Sequence, residues 1–348
     1  MPEALTLPEG FAPRMVDWQR RQGRQHLPWQ HTRDPYRVWL SEIMLQQTQV
    51  STVLDYYPRF LQRFPDVASL AAAEQDDVLG LWSGLGYYSR ARNLHRCAQE
   101  VVARFGGEFP RSAAQLVTLP GIGRSTAAAI AAFCFEERVS ILDGNVKRVL
   151  SRVLGYGADL AVAGHERALW DLADRLLPEA ASDMPAYTQS LMDVGATLCQ
   201  PRKAQCEACP VEGLCVAHAQ GQPLAYPVKT RKLKRSSATL WLLWALNAQG
   251  EVWLHKRAAR GIWAGLFCLP VFEREDDLLA ACPGHASAQY LDAFKHVLTH
   301  RDLHLHPVRV QVAAHQLPQC EGQWVDAQDW PQLGLPAPIR LLLQGQRA

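Results

Sequence analysis

The chain has 348 residues, of which 48% are hydrophobic, and a formal net charge of only +2. This length exceeds that of a typical single domain, so we expect two domains, and the net charge gives no argument for a nucleic-acid partner. No apolar run approaches the ~20 residues needed to cross a bilayer, and the N-terminus lacks the basic and apolar segments of a secretion signal. We therefore expect a soluble, cytoplasmic protein with no membrane partner.

The chain up to the cysteine-rich region has the periodicity of helices. Apolar residues recur at spacings of three and four, with few alternating runs. The predicted helices, in chain order, span residues 36–50, 67–73, 76–84, 89–105, 112–118, 124–135, 144–154, 165–177 and 185–198. This part of the chain is therefore predicted to be all-α.

Two glycines, Gly121 and Gly123, form a predicted tight turn just before an alanine-rich helix. Such a turn exposes backbone N–H groups at the positive end of the helix dipole, and these can hold a phosphate without a charged side chain. A turn that only caps the helix would need just one glycine, but capping remains the alternative. Both interpretations stay open on the residues alone.

Two carboxylates stand out for their surroundings. Asp143 precedes a predicted helix, where its ordinary role is that of an N-cap. Glu42 has apolar neighbours on both sides, and a buried carboxylate is costly unless its pKa rises and it serves as an acid. A single Glu on a helix is more often solvated, so a structural role for each residue is the alternative.

Four of the nine cysteines follow the spacing Cys-x6-Cys-x2-Cys-x5-Cys, at Cys199, Cys206, Cys209 and Cys215. Four thiolates in so short a loop can bind one zinc ion or a larger iron–sulfur cluster. Zinc sites usually pair two Cys-x2-Cys knuckles, so the single knuckle favours iron–sulfur, with zinc and unligated thiols as alternatives. The odd cysteine total favours reduced thiols over disulfides.

A polar segment, residues 217–236, separates the cysteines from a region of different character. Its cations suit either phosphate contacts or a solvated linker: Lys229, Arg231, Lys232, Lys234 and Arg235. Beyond it we predict strands at 238–246, 251–256 and 304–313 and a closing helix at 336–343. The sequence thus predicts an all-α domain, 1–216, a basic linker, and an α+β domain, 237–348.

Together these features resemble the endonuclease III superfamily of DNA base-excision glycosylases. The resemblance rests on a helix-hairpin-helix turn, then Asp143, then the four-cysteine loop. Three motifs narrow it to the MutY family of adenine DNA glycosylases, at residues 41–48, 84–94 and 142–146. It extends over about residues 13–343. It implies a multidomain fold, with a helix-hairpin-helix glycosylase domain carrying a [4Fe–4S] cluster and a Nudix-like C-terminal domain.

The resemblance also implies a chemistry. Enzymes of this family flip adenine out of a mispair with 8-oxoguanine or guanine in double-stranded DNA and remove it. Glu42 would protonate the base, while Asp143, with Asn145 beside it, would stabilise the cationic sugar. Ser125 stands where relatives that also cut the strand have a Schiff-base lysine, so hydrolysis alone is expected. The implied protein is a monomer that works at the bacterial nucleoid.

Further residues acquire DNA-binding roles through the same resemblance. Gln47 and Tyr87 would insert into the duplex near the mispair, and Trp29 and Gln189 would form the adenine pocket. The glycine turn at 121–123 would hold the DNA backbone.

The C-terminal resemblance to a Nudix-like module rests on residues 261–270 and 294–300. Thr299 and His300 would contact 8-oxoguanine, whereas Leu298 replaces the aromatic residue usual at its position. Residues 273–279 lack the glutamate-rich box of Nudix hydrolases, so pyrophosphate hydrolysis is not expected.

The same residues are compatible with two other functions. One is a glycosylase with strand-cleaving activity on oxidised pyrimidines, which Ser125 and the C-terminal domain oppose. The other is a non-catalytic DNA-binding redox sensor, which the presence of both Glu42 and Asp143 opposes.

Overall fold

The computed structural model describes residues 7–230, 234–282, 288–313 and 318–345. Tertiary contacts divide the chain into two compact units. The first unit contains the chain up to Tyr57, Asp66–Ala68, and the chain from Arg96 to the linker. The second contains Pro58–Pro65, Ser69–His95 and the chain beyond the linker. The division follows contacts rather than chain order, because part of the helical region packs with the C-terminal residues.

The helices, in chain order, are α1 (Phe11–Gln22), α2 (Pro35–Leu45), α3 (Val50–Arg63), α4 (Val67–Ala71), α5 (Gln75–Leu81), α6 (Ser89–Phe105), α7 (Ala113–Leu116), α8 (Arg124–Phe135), α9 (Gly144–Leu154), α10 (Ala163–Asp174), α11 (Met184–Thr197), α12 (Val216–Ala219), α13 (Glu275–Ala281) and α14 (Ala337–Leu343). The strands are β1 (Ser236–Leu246), β2 (Val252–Lys256), β3 (Phe267–Cys268), β4 (Val271–Phe272), β5 (Gln289–Tyr290), β6 (Phe294–Val297), β7 (Arg301–Gln311) and β8 (Gln323–Val325). Within the described ranges no helix is long and apolar enough to span a membrane.

The predicted helices are present, with ends shifted by a few residues, but α1, α3, α12 and α13 were not predicted. The predicted helix at 36–50 ends at Leu45, because Gln47 has a φ of 55°, which a right-handed helix cannot continue. The chain restarts as α3, a helix that the sequence did not predict and that contains Pro58. Helix α1 was not predicted either, although Phe11, Met15 and Val16 follow helical spacing and are buried.

The core of the first unit lies between α1, α8, α9, α10 and α11. Residues 127–132 of α8 are all buried, and all but Ile130 are alanine. Because alanine leaves little between two backbones, α8 can pack closely against both α2 and α11. This packing brings the start of α9 and the middle of α2, where the candidate carboxylates lie, into the same unit.

The second unit contains an eight-stranded mixed sheet with the strand path β3-β2-β1-β7-β5. The long strands β1 and β7 are parallel, with Ser236 opposite Arg301 and Leu246 opposite Gln311. The other strand pairs are antiparallel, and β6 and β7 form a hairpin. The predicted strands correspond to β1, β2 and β7, which confirms the α+β class of this region.

Both faces of the sheet are covered by apolar side chains. Leu242 of β1 packs on the face shared with Ile339 of α14, whereas Leu243 packs on the face shared with Leu278 of α13. This alternation follows from the two-residue period of a strand. A helix therefore covers each face, which gives the unit a three-layered core.

Candidate active site

A cavity of about 370 Å³ opens in the first unit. Its wall is formed by the end of α1 and the loop that follows, by α2 and α8, and by α11. Trp29, Glu42 and Gln189, three of the residues singled out in the sequence, line this one cavity. The volume of this cavity falls within the range of small-molecule sites, so the cavity can accommodate a nucleobase.

Helix α2 places Glu42 in the cavity wall. The helix begins where Asp34 caps it, accepting a hydrogen bond from the Tyr36 N–H at 2.9 Å. Glu42 keeps partial access to the cavity, yet burial, with a contribution from the charge of Asp143, raises its pKa to about 8. The carboxyl group therefore carries a proton at neutral pH and can donate it.

Asp143 is the N-cap of α9, as expected for a carboxylate at this place. Its Oδ1 accepts a hydrogen bond from the Val146 N–H at 2.8 Å. Just before it, the Leu142 N–H donates to Ser125 Oγ at 3.1 Å, which joins the start of α8 to this turn. Asp143 Oδ2 accepts no hydrogen bond from any described residue, so one oxygen is available to a substrate.

The side chain of Asn145 is fixed by a hydrogen bond from a buried arginine. Arg148, only 8% exposed, donates from Nη2 to Asn145 Oδ1 at 2.8 Å and to the Gly195 carbonyl at 2.7 Å. Its Nε donates to the Cys199 carbonyl at 2.7 Å. One guanidinium group thus joins the turn of Asp143 to α11 and to the first cysteine of the four-cysteine loop.

The four cysteines line a second, smaller cavity, together with residues of α9. Arg152 lies against it, 2% exposed, and donates from Nη1 to Cys199 Sγ at 3.2 Å. Within the described chain, no group of three or more His, Cys, Asp and Glu side chains is close enough to hold a single metal ion. The thiols therefore surround a space rather than converge on one point.

The adenine-pocket candidates occupy different environments. Trp29 is 7% exposed and packs edge-to-face on Tyr57, with ring centroids 5.4 Å apart. Gln189 donates from Nε2 to Asp193 Oδ1 at 2.9 Å. Asp193 and its partner Arg24, whose Nη2 lies 2.6 Å from Asp193 Oδ1, were not predicted. Met192 and Val194 on either side of Asp193 indicate that it is buried, as the apolar residues around Glu42 do, but the sequence does not show its partners.

The two candidate insertion residues have left-handed backbones. The φ angles are 55° at Gln47 and 48° at Tyr87, and both side chains are exposed. Such a conformation costs a non-glycine residue about 1–3 kcal/mol and is found preferentially at functional sites. The Tyr87 ring also lies near the Arg90 guanidinium, 5.6 Å from the ring centroid.

The predicted helix-hairpin-helix turn is present between α7 and α8. Gly121 has a φ of 76°, which favours glycine, and Gly123 is the N-cap of α8. Both are exposed, and a Cβ atom added at Gly123 would meet nothing within 4 Å. The first N–H groups of α8 are thus open to solvent at this turn.

Thr299 and His300 lie in the turn between β6 and β7. Arg235 donates to the carbonyls of Leu298 and Thr299, each at 2.9 Å, so this cation of the predicted basic segment binds the turn. The Tyr87 and Thr299 hydroxyl oxygens are 2.8 Å apart and form a hydrogen bond within the second unit. Residues 231 and 232, also part of the predicted basic segment, lie outside the described ranges.

The close approach of α11 to Asn145 can be tested with Gly195→Ala. The added Cβ would lie 2.7 Å from Asn145 Cβ, so one of the two elements must move. We expect the free energy of unfolding to fall by about 1–3 kcal/mol in urea titrations. Gly164→Ala, on α10, is the control, because its Cβ would be 3.9 Å from Arg167 Nη2, an ordinary contact. Equal stability of the two variants would contradict the packing argument.

Comparisons with known proteins place these features in a family. Residues 40–175 match the family described as HhH-GPD superfamily base excision DNA repair protein. Residues 241–345 match the NUDIX domain family. A relative from Buchnera aphidicola subsp. Baizongia pistaciae, called adenine DNA glycosylase, is 35% identical over 96% of this chain and 95% of its own length.

Solved structures show the same fold for the helical part. A thermostable thymine-DNA glycosylase is 28% identical, with a TM-score of 0.53, over 60% of this chain and 95% of that one. A non-covalent endonuclease III–DNA complex is 19% identical, with a TM-score of 0.50, over 60% of this chain and 94% of that one. The second likeness concerns the fold alone.

Proposed function

The chain belongs to the family of adenine DNA glycosylases, and from that premise we propose that it removes adenine paired with 8-oxoguanine or guanine by hydrolysis alone. Its activity is that of a base-excision DNA glycosylase and its substrate is DNA. The observation that carries the mechanism is Glu42, a carboxyl in the cavity wall whose pKa is raised to about 8 beside the charge of Asp143.

The proposed reaction begins with adenine rotated out of the duplex into the cavity, between Trp29 and Gln189. Glu42 donates its proton to adenine N7, so the electrons of the breaking N-glycosidic bond enter a base that leaves neutral. Positive charge develops on the sugar, and the free Oδ2 of Asp143 stabilises it. Water then adds to the sugar carbon and releases a proton, leaving an abasic site.

Asn145 and Ser125 support this chemistry from the same turn. Asn145, held by Arg148, provides a polar neighbour to Asp143. Ser125 Oγ accepts a hydrogen bond from the Leu142 N–H, just before Asp143. Ser125 has no amine with which to form a Schiff base. We therefore propose an intact DNA strand as the product, which alkaline and neutral gel analysis of the same reaction would distinguish from a cut one.

We propose that the protein binds duplex DNA as a monomer through three exposed elements. The turn at Gly121 and Gly123 would hold a backbone phosphate with its N–H groups. Gln47 and Tyr87 would enter the duplex beside the mispair. Both side chains are exposed, which allows this insertion. Thr299, bonded to Tyr87, and His300 would contact the base opposite the flipped adenine.

We further propose that the four-cysteine loop holds a [4Fe–4S] cluster. Four thiol side chains around one cavity suit a cluster, which is larger than an ion and takes one thiolate at each iron. The buried cation of Arg152 beside Cys199 Sγ suits the negative charge of such a group. When bound, the cluster would join the two ends of the four-cysteine loop beside α9, because all four thiols belong to that loop; the chemistry at adenine needs no electron transfer.

The roles of the two carboxylates predict different pH profiles. Glu42→Gln should lower single-turnover adenine release by at least ~100-fold and leave DNA affinity nearly unchanged, because proton donation matters only in the transition state. In the parent protein the rate should fall as pH rises through about 8, where Glu42 loses its proton. The glutamine variant should lack this fall.

The variant Asp143→Asn distinguishes stabilisation of the cationic sugar from proton donation by Glu42. It should also lower the rate by at least ~100-fold, but its alkaline fall should begin at lower pH, since the charge of Asp143 helps to raise the Glu42 pKa. Measuring the single-turnover rate of adenine release at pH values from 5 to 10 tests both the lower rate and the earlier alkaline fall. An unchanged profile in Glu42→Gln would show that another group is the acid.

The cluster proposal predicts a colour. Purified protein should be brown, absorb broadly near ~400 nm and contain iron, because charge transfer from thiolate to iron is intense. Cys206→Ser should lose iron, whereas Cys134→Ser, outside the loop, should keep it. A colourless parent protein with stoichiometric zinc would contradict the proposal.

Lesion recognition by the β6–β7 turn predicts a selective loss in Thr299→Ala. One hydrogen bond to 8-oxoguanine contributes about 0.5–1.5 kcal/mol, so adenine release opposite 8-oxoguanine should slow roughly 2- to 12-fold, with no change opposite guanine. Thr299→Ser should restore the rate, and Thr239→Ala, exposed on β1, should match the parent. Equal slowing on both duplexes would make the turn a structural element only.

A further inference from the structure

Asp193 is a buried carboxylate that the proposed mechanism does not use. It lies on α11 and is 0% exposed, yet its charge is fully surrounded by donors. Its Oδ2 accepts from Gln19 Nε2 at 3.1 Å and from the Arg24 backbone N–H at 2.9 Å. Its Oδ1 accepts from Arg24 Nε at 2.8 Å and from Gln189 Nε2 at 2.9 Å, and lies 2.6 Å from Arg24 Nη2.

These contacts determine which way the Gln189 amide points. A carboxylate can only accept hydrogen bonds, so the amide must turn its nitrogen towards Asp193. A rotation of 180° would place the amide oxygen against a carboxylate oxygen, and two acceptors repel each other in a buried site. Gln189 lines the cavity, and its Oε1 accepts no hydrogen bond from any residue that the structure describes.

We propose that Asp193 is a positioning residue that sets the base specificity of the cavity through Gln189. With its nitrogen held by Asp193, Gln189 offers its oxygen to a ligand, and that oxygen accepts a hydrogen bond from the exocyclic amine at C6 of adenine. A purine with an oxygen at C6, such as hypoxanthine or guanine, would bring an acceptor against an acceptor. This inference rests on the proposed function, in which Gln189 borders the flipped adenine.

The remaining contacts of Asp193 explain why its position is rigid. Gln19 and Arg24 come from the end of α1 and the residues after it, and both also line the cavity. Arg24 binds Asp193 through its backbone and through its side chain, so α1 and α11 are joined at this one carboxylate. The pairing also offsets the charge of Arg24 in the cavity wall.

The test is Asp193→Asn, which preserves shape but can present a donor to Gln189. The Gln189 amide can then rotate and turn its nitrogen to the cavity. Duplexes carry adenine, hypoxanthine or unsubstituted purine opposite 8-oxoguanine, and single-turnover rates are measured for each. We expect adenine release to slow roughly 10-fold and the hypoxanthine-to-adenine rate ratio to rise by at least roughly 10-fold. Purine, which has no group at C6, should change least.

A double-mutant cycle shows whether Asp193 acts through Gln189. Gln189→Met removes the amide and leaves Asp193 paired with Gln19 and Arg24, so it should abolish the preference for adenine over purine. Adding Asp193→Asn to it should not change that ratio again. Should Asp193→Asn fail to fold in thermal melts, Gln189→Met decides alone: equal slowing on adenine and purine would overturn the proposal. Asp17→Asn, which breaks an exposed pair with Arg21, is the matched control and should leave all rates unchanged.

The outcomes separate this inference from the proposed function. If the parent protein releases adenine and Asp193→Asn slows all three bases by the same factor, Asp193 is only structural and this inference is wrong. If the parent protein releases no adenine from the duplex that carries adenine, both the proposed function and this inference are overturned. A changed ratio of hypoxanthine to adenine supports the inference, since loss of stability alone cannot change the choice between two bases.

Discussion

The energetic cost of burying a carboxylate shapes this candidate active site. The protein meets that cost in two opposite ways, at Glu42 in the cavity wall and at Asp193, which contacts the cavity-lining residues Gln19, Arg24 and Gln189. Glu42 lacks a hydrogen-bonding partner among the described residues, so burial raises its pKa and the group keeps its proton. Asp193 instead accepts hydrogen bonds from Gln19, Gln189 and Arg24 and is paired with the Arg24 guanidinium. One carboxyl can therefore donate a proton, whereas the other is held as a hydrogen-bond acceptor.

Two buried arginines of α9 connect the candidate active site to the four-cysteine loop. Arg148 and Arg152 lie one helical turn apart on α9, so both point to the same side of the helix. Arg148 holds Asn145 and the Cys199 carbonyl, and Arg152 reaches Cys199 Sγ. A change in the loop would therefore alter the packing of the helix that begins at Asp143, although no residue of the loop enters the candidate active-site cavity.

The sequence predicted what depends on local pattern, and missed what depends on distant contacts. Helix periodicity, the glycine turn and the cysteine spacing are local, so the helical region and its hairpin were correctly expected. Asp193 was missed because its donor Gln19 is 174 positions away along the chain, and only the folded chain shows that the carboxylate is paired. Strands β3 and β5 have two residues each, too few for any period to be visible. The turn at Gln47 was missed because a left-handed glutamine leaves no mark on hydrophobic periodicity.

The replacement by Leu298 of the aromatic residue that the resemblance implies in the β6–β7 turn has a physical explanation. Leu298 packs against the apolar core on one face of the sheet, so its side chain anchors the turn to that core. Arg235 holds the turn from its backbone side through two carbonyls, and Tyr87 meets the Thr299 hydroxyl. An aromatic residue at 298 is therefore unnecessary for presenting Thr299. The position of the Thr299 hydroxyl therefore depends on the packing of Leu298, on the hydrogen bonds from Arg235 and on the contact with Tyr87.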